Sequence, residues 1–416
     1  MLKWHNRWMG AWRERNFRLL FIGQTTSALG NTLVPVALSF GVLDLTGSAS
    51  QLGLVLGAQS AALVIFILLG GVIADRVPRR ALMLFADSLR GCSQAAIGIL
   101  FLVGHVSIVP IIVLGAVVGI GEALFQPAAT GLLPALVKPE HLQQANGLQQ
   151  TANAIAGIAG PAVAGILVVS VGPGWAIIGD SASFFVSVGL LAALSFTSVT
   201  RAEAPGLIGQ LREGWTDFWT RKWFRTIVFC ASAFNFLYAG YVVLGPVMSR
   251  LHYGGAGAWA TIATVGAIGS SVTGLIGLRL SPRHPLRTAT LFLGAACLAP
   301  LALSALLPLW AVAVASALVG GSLILFNTLW QTSVQRHIPE HLISRASSYD
   351  YFGSLVAFPI GLAIAGPLAA AFGPQPVLLC IGVLVLVVVA LAMLSPSVRN
   401  LTDDPPQAAQ TEVADA

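Results

Sequence analysis

Asp87, Arg90, Glu122 and Asp180 are ionisable side chains inside long apolar runs. There a charge is expensive unless it is paired or wet. Asp87 and Arg90 are three residues apart, so a helix puts them on one face as an ion pair. Glu122 falls at a depth similar to that of Arg90. It can complete a buried trio, or take up and release a proton when its partner leaves. Asp180 lies about 9 Å below the end of its run at 1.5 Å per residue. It reads either as a second titrating acid or as a hydrogen-bonded structural one. Other chemistries have no foothold. No Gly-Lys dipeptide occurs, so the GxxxxGK[ST] phosphate loop is absent, and so is His-Glu-x-x-His. The seven histidines show no metal spacing, and Cys92, Cys230, Cys297 and Cys380 lie at unrelated intervals in apolar runs. The expectation is a protein that is not an enzyme and has no metal and no cofactor.

The elements that hold these residues are membrane spans. Hydrophobic residues make up 56% of the chain and charged residues 9%, against about 25% charged in a soluble domain. The 416 residues have room for twelve spans of roughly 20 residues each. Apolar runs predict them at 17–43, 50–73, 81–104, 108–130, 145–170, 174–197, 225–249, 257–280, 286–306, 308–331, 346–371 and 375–395. Turn chemistry marks several breaks, as at Gly172-Pro173-Gly174 and Gly373-Pro374. All of the 22 Lys and Arg except Arg90 and Arg250 then fall on one side, which the positive-inside rule makes cytoplasmic. Both termini are expected in the cytoplasm of a multi-pass cell-membrane protein. The net charge of +6 accordingly faces lipid headgroups, not nucleic acid. No cleavable signal peptide is expected, because the N-terminus runs into a span too long for one.

The expected organisation is a cytoplasmic interfacial N-terminus (1–16), a six-helix bundle (17–197), a cytoplasmic amphipathic linker (198–224), a second six-helix bundle (225–395) and a disordered cytoplasmic tail (396–416). Trp4, Trp8 and Trp12 recur every four residues among basic neighbours. Leu207, Leu211, Trp215, Phe218 and Trp219 do the same in the linker, the pattern of helices lying at the headgroup boundary. Pro139-Glu140-His141-Leu142 and Pro339-Glu340-His341-Leu342 precede the fifth span of each half, 200 residues apart, as duplicated halves require.

Two motifs sit on this frame. The turn after span 2 reads Gly71-Val-Ile-Ala-Asp75-Arg76-Val-Pro78-Arg79-Arg80. A carboxylate and three guanidiniums in one tight turn can exchange partners between two packings, with Asp75 favoured at a neighbouring helix N-terminus. In span 5, Gly147, Ala156, Gly160-Pro161 and Ala164-Gly165 put small residues along one face beside a proline bend. Polar and aromatic side chains at mid-span are candidates for a substrate cavity: Gln24 and Asn31 on span 1, Gln126 on span 4, Asn235, Tyr238 and Tyr241 on span 7, and Asn327, Trp330 and Gln331 on span 10.

The turn resembles the signature loop of the major facilitator superfamily, GxLaDRxGRR, with Pro78 in place of its second Gly. A degenerate copy follows span 8, with Leu278 where an Asp would align. The span 5 pattern resembles the antiporter motif of drug exporters, G-x8-G-x3-G-P-x2-G-G, with Ala replacing Gly twice. Asn16-Phe17-Arg18, Ser27-x-x-Gly30, Leu45-Thr46-Gly47-Ser48, Asp87-Ser-Leu-Arg90, Pro127-Ala128 and Asp180 resemble the drug:proton antiporter-3 group, which includes macrolide efflux proteins and the enterobactin exporter. Asn31 stands where many of that group carry Asp.

The resemblance implies two pseudo-symmetric six-helix bundles in an all-α membrane protein, with spans 1, 4, 7 and 10 around the cavity. It implies a monomer whose partners are a small-molecule substrate, protons and the bilayer. The expected function is proton-coupled export of amphipathic drugs or antibiotics by alternating access. A siderophore or metabolite exporter or a lysophospholipid flippase of the same fold is the alternative, and a non-transporting scaffold or sensor is the more distant one.

Overall fold

A computed structural model describes residues 10–104, 107–195 and 219–402. Among these, every regular element is helical. The long helices are α1 (Arg15–Thr46), α2 (Ala49–Arg76), α3 (Arg79–Val103), α4 (Ile108–Leu136), α5 (Leu142–Ser170), α6 (Pro173–Ala192), α7 (Lys222–His252), α8 (Ala256–Gly277), α9 (Pro285–Ser304), α10 (Leu309–His337), α11 (Glu340–Leu355 and Phe358–Phe372) and α12 (Pro374–Leu394). Eleven of them are long and apolar enough to cross a membrane. The exception is α3, whose mean hydropathy is lowered by Asp87, Arg90 and Gln94, all buried. Those polar groups turn inward, so α3 is a span in spite of them.

Local chemistry explains the boundaries. Gly47 ends α1 at φ 64°, its N–H closing on the Leu43 carbonyl at 2.8 Å; this left-handed cap suits glycine. One residue on, the Ser48 hydroxyl accepts from the Gln51 N–H at 3.3 Å and starts α2. Two expected spans are broken. Pro300 has no N–H to give to residue 296, and α9 tightens into a 3-10 turn at Gly294–Cys297. Pro359 does the same to α11, which is interrupted between Leu355 and Phe358.

The chain divides into two compact units. The first takes in Met1–Glu203, Val242–Thr264 and Leu362–Pro374, and the second Ala204–Tyr241, Val265–Gly361 and Gln375–Ala416. In the first unit α1 packs on α5 and α6, α2 on α4, and α3 on α4 and α6. Gly70 and Gly119 bring α2 and α4 together. A Cβ at either would meet the Ala123 or Gln59 carbonyl at 2.2 and 2.1 Å, the backbone approach that small residues permit. Large apolar side chains such as Ile65, Ile166 and Val169 remain exposed, as a lipid-facing surface requires.

Two expectations need adjusting. Lys222, Trp223 and Phe224, placed in the linker, begin α7, because Phe224 stacks on Trp330 at 5.4 Å and Trp223 meets the same ring edge-on at 5.8 Å. The disordered tail does not begin at 396. Pro396–Arg399 is a short helix, Val398 is fully buried in the second unit's core, and the chain is held through Thr402. Trp12 packs edge-on against Phe21 at 5.2 Å, while Trp4, Trp8 and the linker residues Leu207 to Phe218 lie outside the described residues.

Candidate functional site: a cavity wall backed by buried charge

The first unit contains a cavity of about 540 Å³ between α1, α3, α4 and α5. Gln24 and Asn31 line it from α1, Phe125, Gln126 and Thr130 from α4, and Asn146, Gln149, Gln150 and Asn153 from α5. The α5 amides recur at helical spacing and so share a face. Arg90 reaches the wall from α3. The lining is rich in groups that both donate and accept hydrogen bonds. Of the expected cavity residues, Gln24, Asn31 and Gln126 are therefore brought together here.

Behind the wall lies a polar core. Arg90 is 4% exposed. Its Nη1 donates to Asp87 Oδ1 at 3.3 Å and its Nη2 to Asn31 Oδ1 at 3.0 Å. The guanidinium stands 4.1 Å above the Phe184 ring and 5.3 Å from that of Phe125, where cation–π attraction replaces part of its lost hydration. Gly121 makes room on α4, since a Cβ there would meet Arg90 Cγ at 2.5 Å. The other Asp87 oxygen accepts from the Ser187 hydroxyl at 2.7 Å. The expected trio is thus a different one. Arg90 pairs with Asp87 and Asn31, and among the described residues no ion pair joins it to half-buried Glu122.

Asp180 is fully buried on α6 against Gly30, where a Cβ would stand 2.5 Å from its Oδ1. Neither of its carboxylate oxygens has a hydrogen-bond partner. The adjacent Ser183 hydroxyl donates to the Asp180 backbone carbonyl instead, at 2.7 Å.

The two motifs divide into packing and tethering parts. Gly160 lets α5 meet α1 at Thr32, whose hydroxyl a Cβ would approach to 1.9 Å; the same hydroxyl donates to the Ala156 carbonyl at 3.1 Å. Gly165 faces Ala260 in the same way at 2.4 Å, whereas Gly147 faces open space. Pro161 lies within α5. In the signature turn, Arg79 donates to the Gly131 carbonyl of α4, and Arg80 to the Leu191 and Ala192 carbonyls. Arg80 therefore adds a cationic donor to the last carbonyls of α6, where a positive charge is favoured. Arg76 is exposed, Gly71 faces open space, and the Asp75 side chain lies outside the description.

The remaining candidates belong to the second unit. The Asn235 amide donates to the Ser354 carbonyl at 2.8 Å and ties α7 to α11. Tyr238 stacks between Phe234 and Tyr241, at 5.7 Å from each. Trp330 is in the core, its indole N–H donating to Asp350 Oδ2 at 2.8 Å, while Asn327 and Gln331 are exposed. Asp350 escaped the sequence reading although its signal was present, a carboxylate inside the apolar run 346–371.

A membrane protein whose described elements are helical and which holds a polar cavity has the build of a carrier of small molecules. The Major Facilitator Superfamily profile matches residues 20–362, and the chain belongs to that family. It is similar to the multidrug efflux pump Tap of Mycobacterium tuberculosis, with 27% identity over 409 residues, covering 94% of this chain and 95% of the pump. Macrolide efflux protein A of Streptococcus pyogenes is 22% identical over 95% of this chain and 98% of its own. The enterobactin exporter EntS of Salmonella choleraesuis is 25% identical over 86% of each. Among solved structures, the nucleoside transporter NupG superposes with a TM-score of 0.76 at 12% identity, over 91% of this chain and 98% of its own. A bacterial homolog of the lysosomal transporter Spinster gives 0.70 at 16%, over 91% and 96%. The fold is therefore the twelve-helix facilitator fold of two pseudo-symmetric bundles, and the chain is a membrane transporter of small-molecule substrates.

Proposed function

We propose that this transporter exports amphipathic small molecules, drugs or antibiotics among them, in exchange for protons and by alternating access. The observation that carries the reading is the cavity of amides backed by Arg90, Asp87 and Asp180. The wall can bond a bulky solute in many orientations, and the acids behind it are the groups that can hold a proton. The efflux relatives support the direction. The basic residues support cytoplasmic termini and a cytoplasmic start to α1. Glu122 and the signature turn with Asp75 keep their proposed parts in coupling and gating.

The lining also favours one kind of cargo within this class. Its charged member, Arg90, is already paired with Asp87, and the other lining residues are uncharged, so neutral amphipathic solutes fit better than lipophilic cations.

The test is a panel of macrolides, dyes and siderophores in a strain without its own pumps. The expected result is lowered accumulation of at least one compound, lost when a protonophore collapses the gradient. Efflux that persists after collapse rejects proton coupling, and protection against nothing rejects export.

A further inference from the structure

Three elements meet at Arg90: Asn31 on the cavity wall, Asp87 beside it on α3, and Asp180 behind it on α6. Their hydrogen bonding is incomplete in a patterned way. Arg90 Nε, Gln94 Oε1 and both Asp180 oxygens are buried without a hydrogen bond of normal length, yet Arg90, Gln94 and Ser183 all stand beside the Asp180 carboxyl. An orphaned donor, an orphaned acceptor and an orphaned acid in one cluster indicate a network with a second arrangement.

Charge counting separates the two arrangements. The groups facing Asp180 from α3 are Arg90, Asp87 and Gln94, and its own helix adds Ser183. Between Arg18 and Asp44, α1 offers uncharged side chains, and α5 has no charged residue at all. One guanidinium can balance one carboxylate here, and it is bonded to Asp87. With a proton on Asp180 the cluster is neutral, and the Gln94 side chain stands beside the carboxyl. Without the proton two carboxylates share Arg90, and bonding both draws the guanidinium inward, away from Asn31.

We propose that Asn31, Arg90 and Asp180 form a relay in which proton occupancy of Asp180 decides whether the Asn31 carbonyl oxygen is available to a solute. The inference rests on the proton-coupled reading above and gives Asp180 a part in the coupling. In the described arrangement Arg90 occupies the Asn31 carbonyl, which belongs to the proton-loaded, solute-free state. When the proton leaves Asp180, Arg90 turns to the carboxylate and Asn31 presents its carbonyl oxygen to the cavity. Proton and solute then exclude each other through one side chain, which is what exchange transport requires. The charge on Asp180 and the amide on the wall need not touch. Arg90 is the positioning residue between them.

Infrared difference spectroscopy during a pH titration of the full chain in lipid nanodiscs tests this without a solute or a gradient. Wild type should show the carbonyl band of a protonated carboxyl that disappears as pH rises. Asp180→Asn should remove the band, Glu122→Gln should keep it, and Asn31→Leu, which leaves Asp180 intact, should move its midpoint. Should Asp180→Asn fail to fold, the Asn31→Leu shift still decides. A wild type without such a band, a band that survives Asp180→Asn, or a midpoint indifferent to Asn31→Leu overturns the relay. Efflux that ignores a protonophore, beside a band that behaves as expected, would reject the coupled export reading and leave the assignment of Asp180 standing.

Discussion

Arg250 Nη2 lies 3.5 Å from Asp44 Oδ1, and the same guanidinium donates through Nη1 to the Leu43 carbonyl. One side chain near the end of α7 thus binds the last turn of α1, where a cation is favoured, and shares the Leu43 carbonyl with the capping N–H of Gly47. This accounts for Arg250 as an exception in the distribution of basic residues. The two side chains are 39% and 56% exposed, so the ion pair itself should contribute no more than about 1 kcal/mol. Asp44→Asn should therefore leave the thermal unfolding midpoint nearly unchanged. Arg250→Ala should lower it more, because it also removes the donor to Leu43. Equal effects of the two would show that the carbonyl contact is idle.

The Asp87–Arg90 pair should behave in the opposite way. Arg90 is buried, so Asp87→Ala strands a guanidinium and should cost about 3–5 kcal/mol. Removing both charges together, as Asp87→Ala with Arg90→Met, should cost much less than the sum of the single changes. Denaturant or thermal unfolding of the four proteins gives the coupling energy. Additive losses would mean that the two residues do not act as a pair.

Gly160 and Thr32 form a steric pair. Gly160→Ala forces a methyl into the Thr32 hydroxyl and should destabilise by about 1–3 kcal/mol, with loss of transport if α5 must keep its place against α1. Combining Gly160→Ala with Thr32→Ala should recover part of the stability, although it gives up the bond to Ala156. No recovery in the double variant would place the clash elsewhere.

Much of this was legible in the sequence. Helix existence and order follow from hydropathy, and the ion pair Asp87–Arg90 follows from a spacing of three on one helix. Gln24, Asn31 and Gln126 stood out as amides in apolar runs. What the sequence hides are relations between distant helices. Nothing in the local pattern says that Gly121 makes room for Arg90, that Gly30 seats Asp180, or that Phe184 lies against the guanidinium. Each depends on how α1, α3, α4 and α6 cross. The breaks at Gly294–Cys297 and before Phe358 had a readable cause in Pro300 and Pro359, but hydropathy averages across them. Trp330 reads as a cavity residue from its depth, yet its neighbours make it core.

That tryptophan supports a further expectation. Its indole N–H and the Ser354 hydroxyl both donate to Asp350, at 2.8 and 3.1 Å. Trp330→Phe keeps an aromatic ring but a smaller one and removes one donor; the under-satisfied, partly buried acid alone should cost about 1–3 kcal/mol, beside the packing lost against Phe224 and Trp223. Asp350→Asn in the same background should recover some of that loss, since the amide carries no charge to satisfy. Thermal unfolding in detergent measures both. A Trp330→Phe protein as stable as wild type would mean that water replaces the indole.

Val398 carries a practical consequence for anyone attaching a reporter to this protein. Its side chain is fully buried among Phe224, Leu286, Trp330 and Ala346, and the Leu401 and Thr402 carbonyls lie 3.4 and 3.1 Å from His284 and His337. Residues 396–402 thus stitch together the ends of α7, α9, α10 and α11. A fluorescent domain or affinity handle joined directly after Leu394 would remove a plug from the core. The same fusion placed beyond Thr402, behind a flexible spacer, leaves that stitch closed.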